Sequence, residues 1–552
     1  MTSAIDTILN YHECTKHHLD HYARSLGYMD WTSQPNPFRC YDGAPCIALE
    51  RGDNTEGPLY QDLYASSIVA NPITHQNISR LFYYSMALSA WKKVPEGNAW
   101  SLRVNPSSGN LHPTESYLII GPQASPNIDS GLYHYNAYHH ALETRRLFDK
   151  HLWQALACNI PENGFFIGLS SIYWREAWKY GERAYRYCNH DVGHALGAIA
   201  IAAVSLGWGA ELVDSLTDNE LSTLLGIGDQ VGPEAEHAGC LLVVYPNNKK
   251  ADIEKSKVQL LPNISTKTLE NIQKIALLGE VNQLSERHHD WPIIDEVSVA
   301  AKKIQGQCTH NSNRALKSPV KAVVLPRCDA TAFQIMRQRR SAVAMDGETE
   351  MERSVFFSLL ERLQFGRPLL FDCLPWIPNV SLFLFVHRVK DLEPGLYVLV
   401  RHDCHEASLR QSTSSDFLWK KPPGSSEELC LYMLVPQDVK QVAKVISCHQ
   451  DIAADGVFSL GMLARFDDVN NIGAYFYPRL FWETGLIGQL LYLEADAAGM
   501  RSTGIGCFFD DVMHEVLGIN DESWQSLYHF TVGGPLEDCR LQTYPAYEHL
   551  GS

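Results

Sequence analysis

The sequence predicts an α+β fold in which one unit occurs twice, and three observations predict it. When the chain is shifted by 292 positions (518 − 226 = 292), residues 471–519 fall without a gap on 179–227. In that register Gly181 meets Gly473, Tyr185 meets Tyr477, Gly193 meets Gly485, Asp218 meets Asp510, and Leu225-Gly226-Ile227 meets Leu517-Gly518-Ile519. Second, both copies present the same order of elements: a helix, a strand, a hairpin, a long helix rich in small residues, and a closing strand. Third, the strands read as antiparallel and mixed with helices, which is the α+β pattern. Two copies, rather than the three or more of a solenoid, predict a pseudo-symmetric pair, a dimer written into one chain.

Residues 1–55 read as an N-terminal arm: helical spacing up to Ser25, then GYMDWTSQPNPFRCYDGAP, whose prolines and aromatics favour a packed irregular segment lying on the body. The first unit, 56–247, is expected to hold a helix over 76–90, the strand ESYLIIGP, the hairpin GLYHYNAYHHALETRRL, the core helix and the strand GCLLVVYP. The connecting segment, 248–319, is lysine-rich and then helical in pattern over 265–284. The second unit, 320–552, repeats the order with a helix over 351–362, the strand SLFLFVHRV, a hairpin opening on GLYVLV, the core helix and YHFTVGG. In DVGHALGAIAIAAVSLGWG small residues recur every three to four positions, which lets another helix approach closely; packing alone explains that spacing.

A formal charge of −17 and a pI near 5.7 lack the basic footprint that nucleic acid or an anionic membrane surface requires, so neither is expected as a partner. A small-molecule or peptide-derived substrate fits better. Fourteen cysteines without a CxxC pair indicate neither a zinc knuckle nor a disulfide framework, and a reducing, cytoplasmic compartment is expected. The N-terminus has no apolar core of signal-peptide length, and the apolar run 195–210, sixteen residues, is shorter than the roughly 18 of a membrane span. The pairs His17-His18, His139-His140 and His288-His289 lack ligand spacing, so no metal is expected; GxGxxG, a Walker loop and GxSxG are absent from the sequence.

Three short stretches carry chemistry. Arg339-Arg340-Ser341 offers two guanidiniums and a hydroxyl suited to a phosphate, although an exposed basic pair would read the same way. Asn105-Pro106-Ser107-Ser108-Gly109-Asn110 is a small polar loop whose backbone can approach a planar ligand, or a plain turn. Gly504-Ile505-Gly506 follows the second core helix, where missing Cβ atoms would let backbone N–H groups face a ring.

Together LRVNPSSGNLHPTESYLIIG, GLYHYNAYHHALE, WKYGERAYRYCNHDVGHALGAIAIAAVSLGWGAEL, RRS and GIGCFFDDVMHEVLG resemble the FMN-dependent nitroreductase family, in its SagB/ThcOx-type dehydrogenase branch. The likeness spans 56–247 and 320–540. It implies tandem nitroreductase-like units forming an intramolecular pseudo-dimer with FMN in the interface, the arginine-serine motif and glycine loop coming from one half and the PSS loop from the other. It also implies hydride transfer between flavin and substrate, as in dehydrogenation of an azoline to an azole in a modified peptide or small molecule, with O2 or NAD(P)H as co-substrate. An NAD(P)H-dependent nitro- or quinone reductase stays open beside that reading. So do a catalytically silent scaffold of a peptide-modifying complex and a further homo-oligomer.

The departures from the family are complementary. The first unit has no Arg or Lys between Arg51 and Arg80, and Leu212-Val213-Asp214 stands where the second unit has Gly504-Ile505-Gly506. The second unit reads LLFDCLPWIPN where the first has its serine loop. One composite FMN site per chain is therefore expected: Arg339, Arg340, Ser341, Gly504, Ile505 and Gly506 from the second unit, Pro106, Ser107, Ser108 and Asn110 from the first. Arg540, just past the strand ending at Gly533-Gly534, is a further candidate for the phosphate. Lys179 and Tyr180 meet Asn471 and Ile472 in the register, so the ionisable pair survives in one copy only. The resemblance implies that such a pair removes the substrate proton; a lysine base would need its proton affinity lowered, and Arg175, Arg183 and Arg186 are the cations nearest in sequence. A surface lysine beside a packed tyrosine is the other reading of that pair.

Overall fold

The computed structural model describes residues 3–52, 55–65, 68–122, 128–247, 264–304, 328–364 and 371–551. Its centre is a pair of helices, Ala184–Ser205 and Tyr477–Ala497, packed on each other. Both are buried along nearly their whole length, as expected of helices that are apolar all round. Two glycines set their approach. A Cβ on Gly193 would collide with the Trp482 carbonyl oxygen and stand 2.9 Å from the Gly485 Cα, and a Cβ on Gly485 would collide with the His190 carbonyl oxygen. Residues that are partners in the 292-residue register thus touch each other, as self-equivalent residues do beside a two-fold axis. The molecule is an α+β fold of two related halves closed into an intramolecular pseudo-dimer. Because the colliding atoms are backbone, Gly193→Ala must push the helices apart; we expect it to lower stability by ~1–3 kcal/mol, read as a lower urea midpoint, and an unchanged midpoint would contradict so close a contact.

Each half carries an antiparallel sheet, and the strand orders match. In the first, the order is Cys46–Ala48, Ala141–Leu147, Gly131–Asn136, Thr114–Ile120, Phe165–Ser171, His237–Pro246, Trp208–Leu212. In the second it is Leu431–Val435, Gly395–Leu399, Val380–Val386, Phe458–Arg465, Trp524–Gly533, Arg501–Ile505. Position by position the two agree, except that the first sheet gains an edge strand from the arm. The chain also crosses between halves at its end: Gln542–Tyr544 pairs with Leu88–Lys93, and the Tyr547 hydroxyl accepts from the Leu88 N–H at 3.1 Å.

Several expectations need correction. Helical spacing in the arm continues to Ser25, but the helix is Ala4–Cys14, capped by Ser3 and Asp6; beyond it the chain is drawn out because the His17 N–H donates to the buried Asp510 at 3.0 Å. That arm is wedged between the halves rather than resting on the body: Tyr11 donates to the Glu182 carbonyl at 2.7 Å, and His12 reaches Tyr477 at 3.2 Å and Gln525 at 3.1 Å. The helix expected over 76–90 is His75–Tyr83, since Leu88–Lys93 is recruited into a sheet. The pattern over 265–284 yields Thr266–Gln273. Residues 248–263 and 305–327, which include the boundary at 319–320, lie outside the described residues. Among the described residues no helix is long and apolar enough to cross a membrane.

Candidate active site at the junction of the halves

The serine loop lies between the strands Ala99–Arg103 and Thr114–Ile120, and the first core helix holds it: Asp191 accepts from the Ser108 N–H at 3.0 Å and from its hydroxyl at 3.0 Å. Within the loop, Ser107 Oγ accepts from the His112 N–H at 2.8 Å, and the Asn110 amide donates to the Ser101 carbonyl at 2.8 Å. Pro106 is buried beside Asn105, whose buried Oδ1 has no hydrogen-bond partner. Gly109 has φ 57°, and a Cβ there would stand 2.7 Å from the Tyr180 hydroxyl and 3.1 Å from Lys179 Nζ. A glycine is what allows the Lys179-Tyr180 pair to lie on this loop.

Across the junction, Arg339 ends the helix Ala332–Gln338. Its Nε donates to the Val104 carbonyl at 2.8 Å and its Nη2 to that of Arg103 at 3.1 Å, so the second half grips the strand leading into the serine loop of the first. Arg339 Nη1 is buried without a partner. Arg340 donates to the carbonyls of Arg337 at 2.9 Å and Ser89 at 3.3 Å. Among the described residues neither arginine has a carboxylate. Burial, with Arg501 nearby, pulls Arg339 down to about 10; burial, then Arg339, Arg337 and Arg501, pull Arg340 down to about 9. A guanidinium keeps its charge at neutral pH even so, and the shifts reflect burial first and neighbouring guanidiniums second. An anion would relieve both.

Tyr492, on the second core helix, joins this cluster to the glycine loop. Its hydroxyl meets Ser341 Oγ at 2.8 Å and accepts from the Gly504 N–H at 3.1 Å, and Arg339 lies 4.9 Å over its ring. The glycines that were expected to open their amides to a ring instead admit two tyrosines, which is a correction: a Cβ on Gly504 would collide with Tyr528 and one on Gly506 with Tyr187, and the Gly504 N–H is taken by Tyr492. Ile505 is buried behind them. Tyr187 donates to the Gly506 carbonyl at 3.0 Å and its ring lies 4.4 Å from that of Tyr180, tilted by 46°, closing the ring of contacts back to the serine loop. Arg540 is outside this ring, with its side chain 77% exposed and 2.8 Å from Asp538.

The arginines expected beside Lys179 point elsewhere. Arg175 pairs with the buried Glu115, while Arg183 and Arg186 meet Asp510 at 3.0 and 2.8 Å. Acids surround the pair instead. Glu176, one turn before Lys179 on the helix Tyr173–Tyr180, is fully buried with both oxygens unpartnered; burial and then Asp191 push its carboxyl well above the usual range, against the pull of Lys179. Burial lifts Asp191 to about 7, against its bonds from Ser107 and Ser108. Burial and Glu176 hold the Tyr180 phenol far above 10, so it is a neutral donor. Glu176, Tyr187, Asp191, Tyr492 and Tyr528 were missed from the sequence, although the register pairs Asp191 with Glu483, an acid kept in both core helices. Elsewhere Glu13, His18 and Asp511 bring ligand atoms within 4.8 Å of one another, but Lys16 Nζ already holds both acids, at 2.8 and 2.9 Å.

The equivalent place in the other half is built differently. Asp214, where the register puts Gly506, is buried against Arg479 at 2.7 Å and Lys303 at 3.2 Å. A carboxylate and its two cations therefore fill the position that glycine and tyrosine hold in the first junction.

No family model matches the chain. It is 25% identical over 165 residues, 29% of its length, to a provisionally named nitroreductase of Methanocaldococcus jannaschii, of which it covers 77%. It is 28% identical over 155 residues, 27% of its length, to the trifolitoxin-processing protein TfxB of Rhizobium leguminosarum bv. trifolii, of which it covers 40%. A crystal structure of a provisionally named nitroreductase from Anabaena variabilis matches the fold with a TM-score of 0.68 and 23% identity, over 96% of this chain and 99% of that one. That likeness establishes the nitroreductase-like fold over the whole chain.

Proposed function

We propose that the chain is a flavin-dependent oxidoreductase of the SagB/ThcOx-type dehydrogenase branch, with units at 56–247 and 320–552 and one FMN per chain at the junction of Arg339-Arg340-Ser341, Gly504-Ile505-Gly506 and Pro106-Ser107-Ser108-Asn110. One observation carries the reading: these stretches, far apart in sequence, are joined through Tyr492, Tyr187 and Asp191, and they surround a buried guanidinium, Arg339, with a free Nη1. Uncompensated buried cations with an orphaned donor fit a dianionic phosphate. Asn105 Oδ1, an orphaned acceptor, suits a hydroxyl or ring N–H of the ligand rather than its phosphate.

When bound, the flavin supplies hydride chemistry. What this chain's own residues contribute is proton handling and orientation. Lys179 Nζ and the Tyr180 hydroxyl lie together on the serine loop, so a substrate held there meets an amine and a neutral hydroxyl donor at once, and the amine acts as the base from its deprotonated form. Glu176 and Asp191 keep exchangeable protons within the same cluster, because burial disfavours their charged forms. The similarity to a trifolitoxin-processing protein supports a peptide-derived substrate; the azoline-type dehydrogenation and its cytoplasmic setting are our inference from the sequence resemblance.

The test is stoichiometry. Flavin and protein quantified in one denatured sample should give a ratio near one, since Asp214, Arg479 and Lys303 occupy the second position. A ratio near two would defeat the composite site, and a colourless protein that takes up no FMN would favour the scaffold.

A further inference from the structure

Cys507 directly follows Gly506, and its sulfur lies 2.7 Å from that of Cys448. Ordinary nonbonded contacts sit at about 3.5–4 Å between carbon-sized atoms, and a disulfide needs about 2.05 Å. Less than about 1 Å of motion separates this contact from a bond. The two segments are already fastened on either side of the sulfurs: Phe509 N–H donates to the Ile446 carbonyl at 2.7 Å, and the Gln450 amide to that of Cys507 at 3.1 Å. Cys448 and His449 both sit in the left-handed region, with φ 53° and 60°, an uncommon conformation for non-glycine residues that aims the Cys448 thiol across the gap. A third element attends the pair. His17 of the arm accepts at Nδ1 from the Ala23 N–H at 2.9 Å, which leaves its other nitrogen as the donor to the Cys507 sulfur.

We propose that Cys448 and Cys507 form a redox couple that closes to a disulfide by exchange with a low-molecular-weight disulfide such as oxidised glutathione, tying the edge of the candidate site to the turn at 447–449. The Cys507 thiolate attacks one sulfur of the reagent, forming a mixed disulfide and releasing one glutathione thiolate. Cys448 then passes its proton to the released glutathione thiolate and attacks the Cys507 sulfur, breaking the mixed disulfide and releasing the second glutathione thiolate, which takes a proton from solvent. Two protein thiols are oxidised and one reagent disulfide is reduced to two thiols. The roles follow from the surroundings: contact with Cys448 and the bond from His17 hold Cys507 down to about 5, while the same contact, with burial, pushes Cys448 up, so the first is the nucleophile and the second the resolving thiol. Both are only partly buried, so a small reagent can reach them. The pair stands whether or not the protein binds flavin.

The full-length protein would be equilibrated in glutathione buffers of graded ratio, quenched with N-ethylmaleimide and mapped by peptide mass. The expected result is a Cys448–Cys507 linked peptide that appears as the buffer becomes oxidising and vanishes on reduction. Cys448→Ser should stop at a stable glutathione adduct on Cys507, and Cys507→Ser should leave Cys448 alkylated. Both sulfurs alkylated throughout in the wild type, or an adduct on Cys448 in preference to Cys507, would overturn the proposal. Matching urea midpoints for the reduced wild type and both variants keep the result independent of folding.

Discussion

Replacing both Arg339 and Arg340 with alanine should weaken FMN binding by about 10²- to 10⁴-fold, because hydrogen bonds to a charged group are worth roughly 1.5–3 kcal/mol each. The two arginines should divide that loss unequally in character. Arg339 also holds the Val104 and Arg103 carbonyls, so Arg339→Ala removes a contact between the halves and lowers stability without any ligand. Arg340 is the cleaner probe. It bonds carbonyls of its own turn and of Ser89, and it crowds Arg337, Arg339 and Arg501 without a carboxylate of its own. Arg340→Ala should therefore weaken FMN about 10- to 100-fold while leaving the flavin-free protein as stable as before or more so. Quenching of flavin fluorescence on titration gives the affinity, and urea denaturation of the flavin-free protein gives the stability. Unchanged affinity in the double variant would make the cluster purely structural.

The repeat made much of this architecture legible. Gly193 and Gly485 match in the register because they pack on one another, so a packing constraint on one axis was written twice in the sequence. The complementary motifs were legible for the same reason, since a two-fold copy shows what each half has lost. Contacts made at long range were not. Nothing local to WKYGERAYRY tells that Arg183 and Arg186 turn to Asp510, more than 300 residues away; the chain breaks at Gly181, φ 56°, and the next helix faces a different partner. The edge strands Trp208–Leu212 and Arg501–Ile505 were hidden because each is short and carries a glycine, which weakens any strand signal. Tyr492 and Tyr528 carry no local signal of a site, and only the neighbouring Gly504, which lacks the Cβ that would collide with Tyr528, gives them their place.

Lys179→Ala should keep FMN content intact and lower substrate-driven flavin reduction by on the order of 10²-fold or more, the usual size of a general-base contribution. Flavin content should survive because Lys179 is exposed and its removal breaks none of the contacts among Ser341, Tyr492, Gly504, Tyr187 and Ser108 that assemble the junction. Its neighbours sharpen the expectation. With Glu176 buried and neutral one turn away, and Tyr180 a neutral phenol, Lys179 supplies the amine of this cluster, and its deprotonated form is the group that would take a proton from a substrate on the serine loop. Glu176→Gln, which keeps the shape and neutrality of the buried carboxyl, should leave folding nearly unchanged but slow the same step if the carboxyl relays the proton onward. Anaerobic stopped-flow at the flavin absorbance separates the two. Wild-type rates in Lys179→Ala would remove Lys179 from the chemistry, and wild-type rates in Glu176→Gln alone would leave Lys179 to exchange its proton directly with solvent, which its exposure permits.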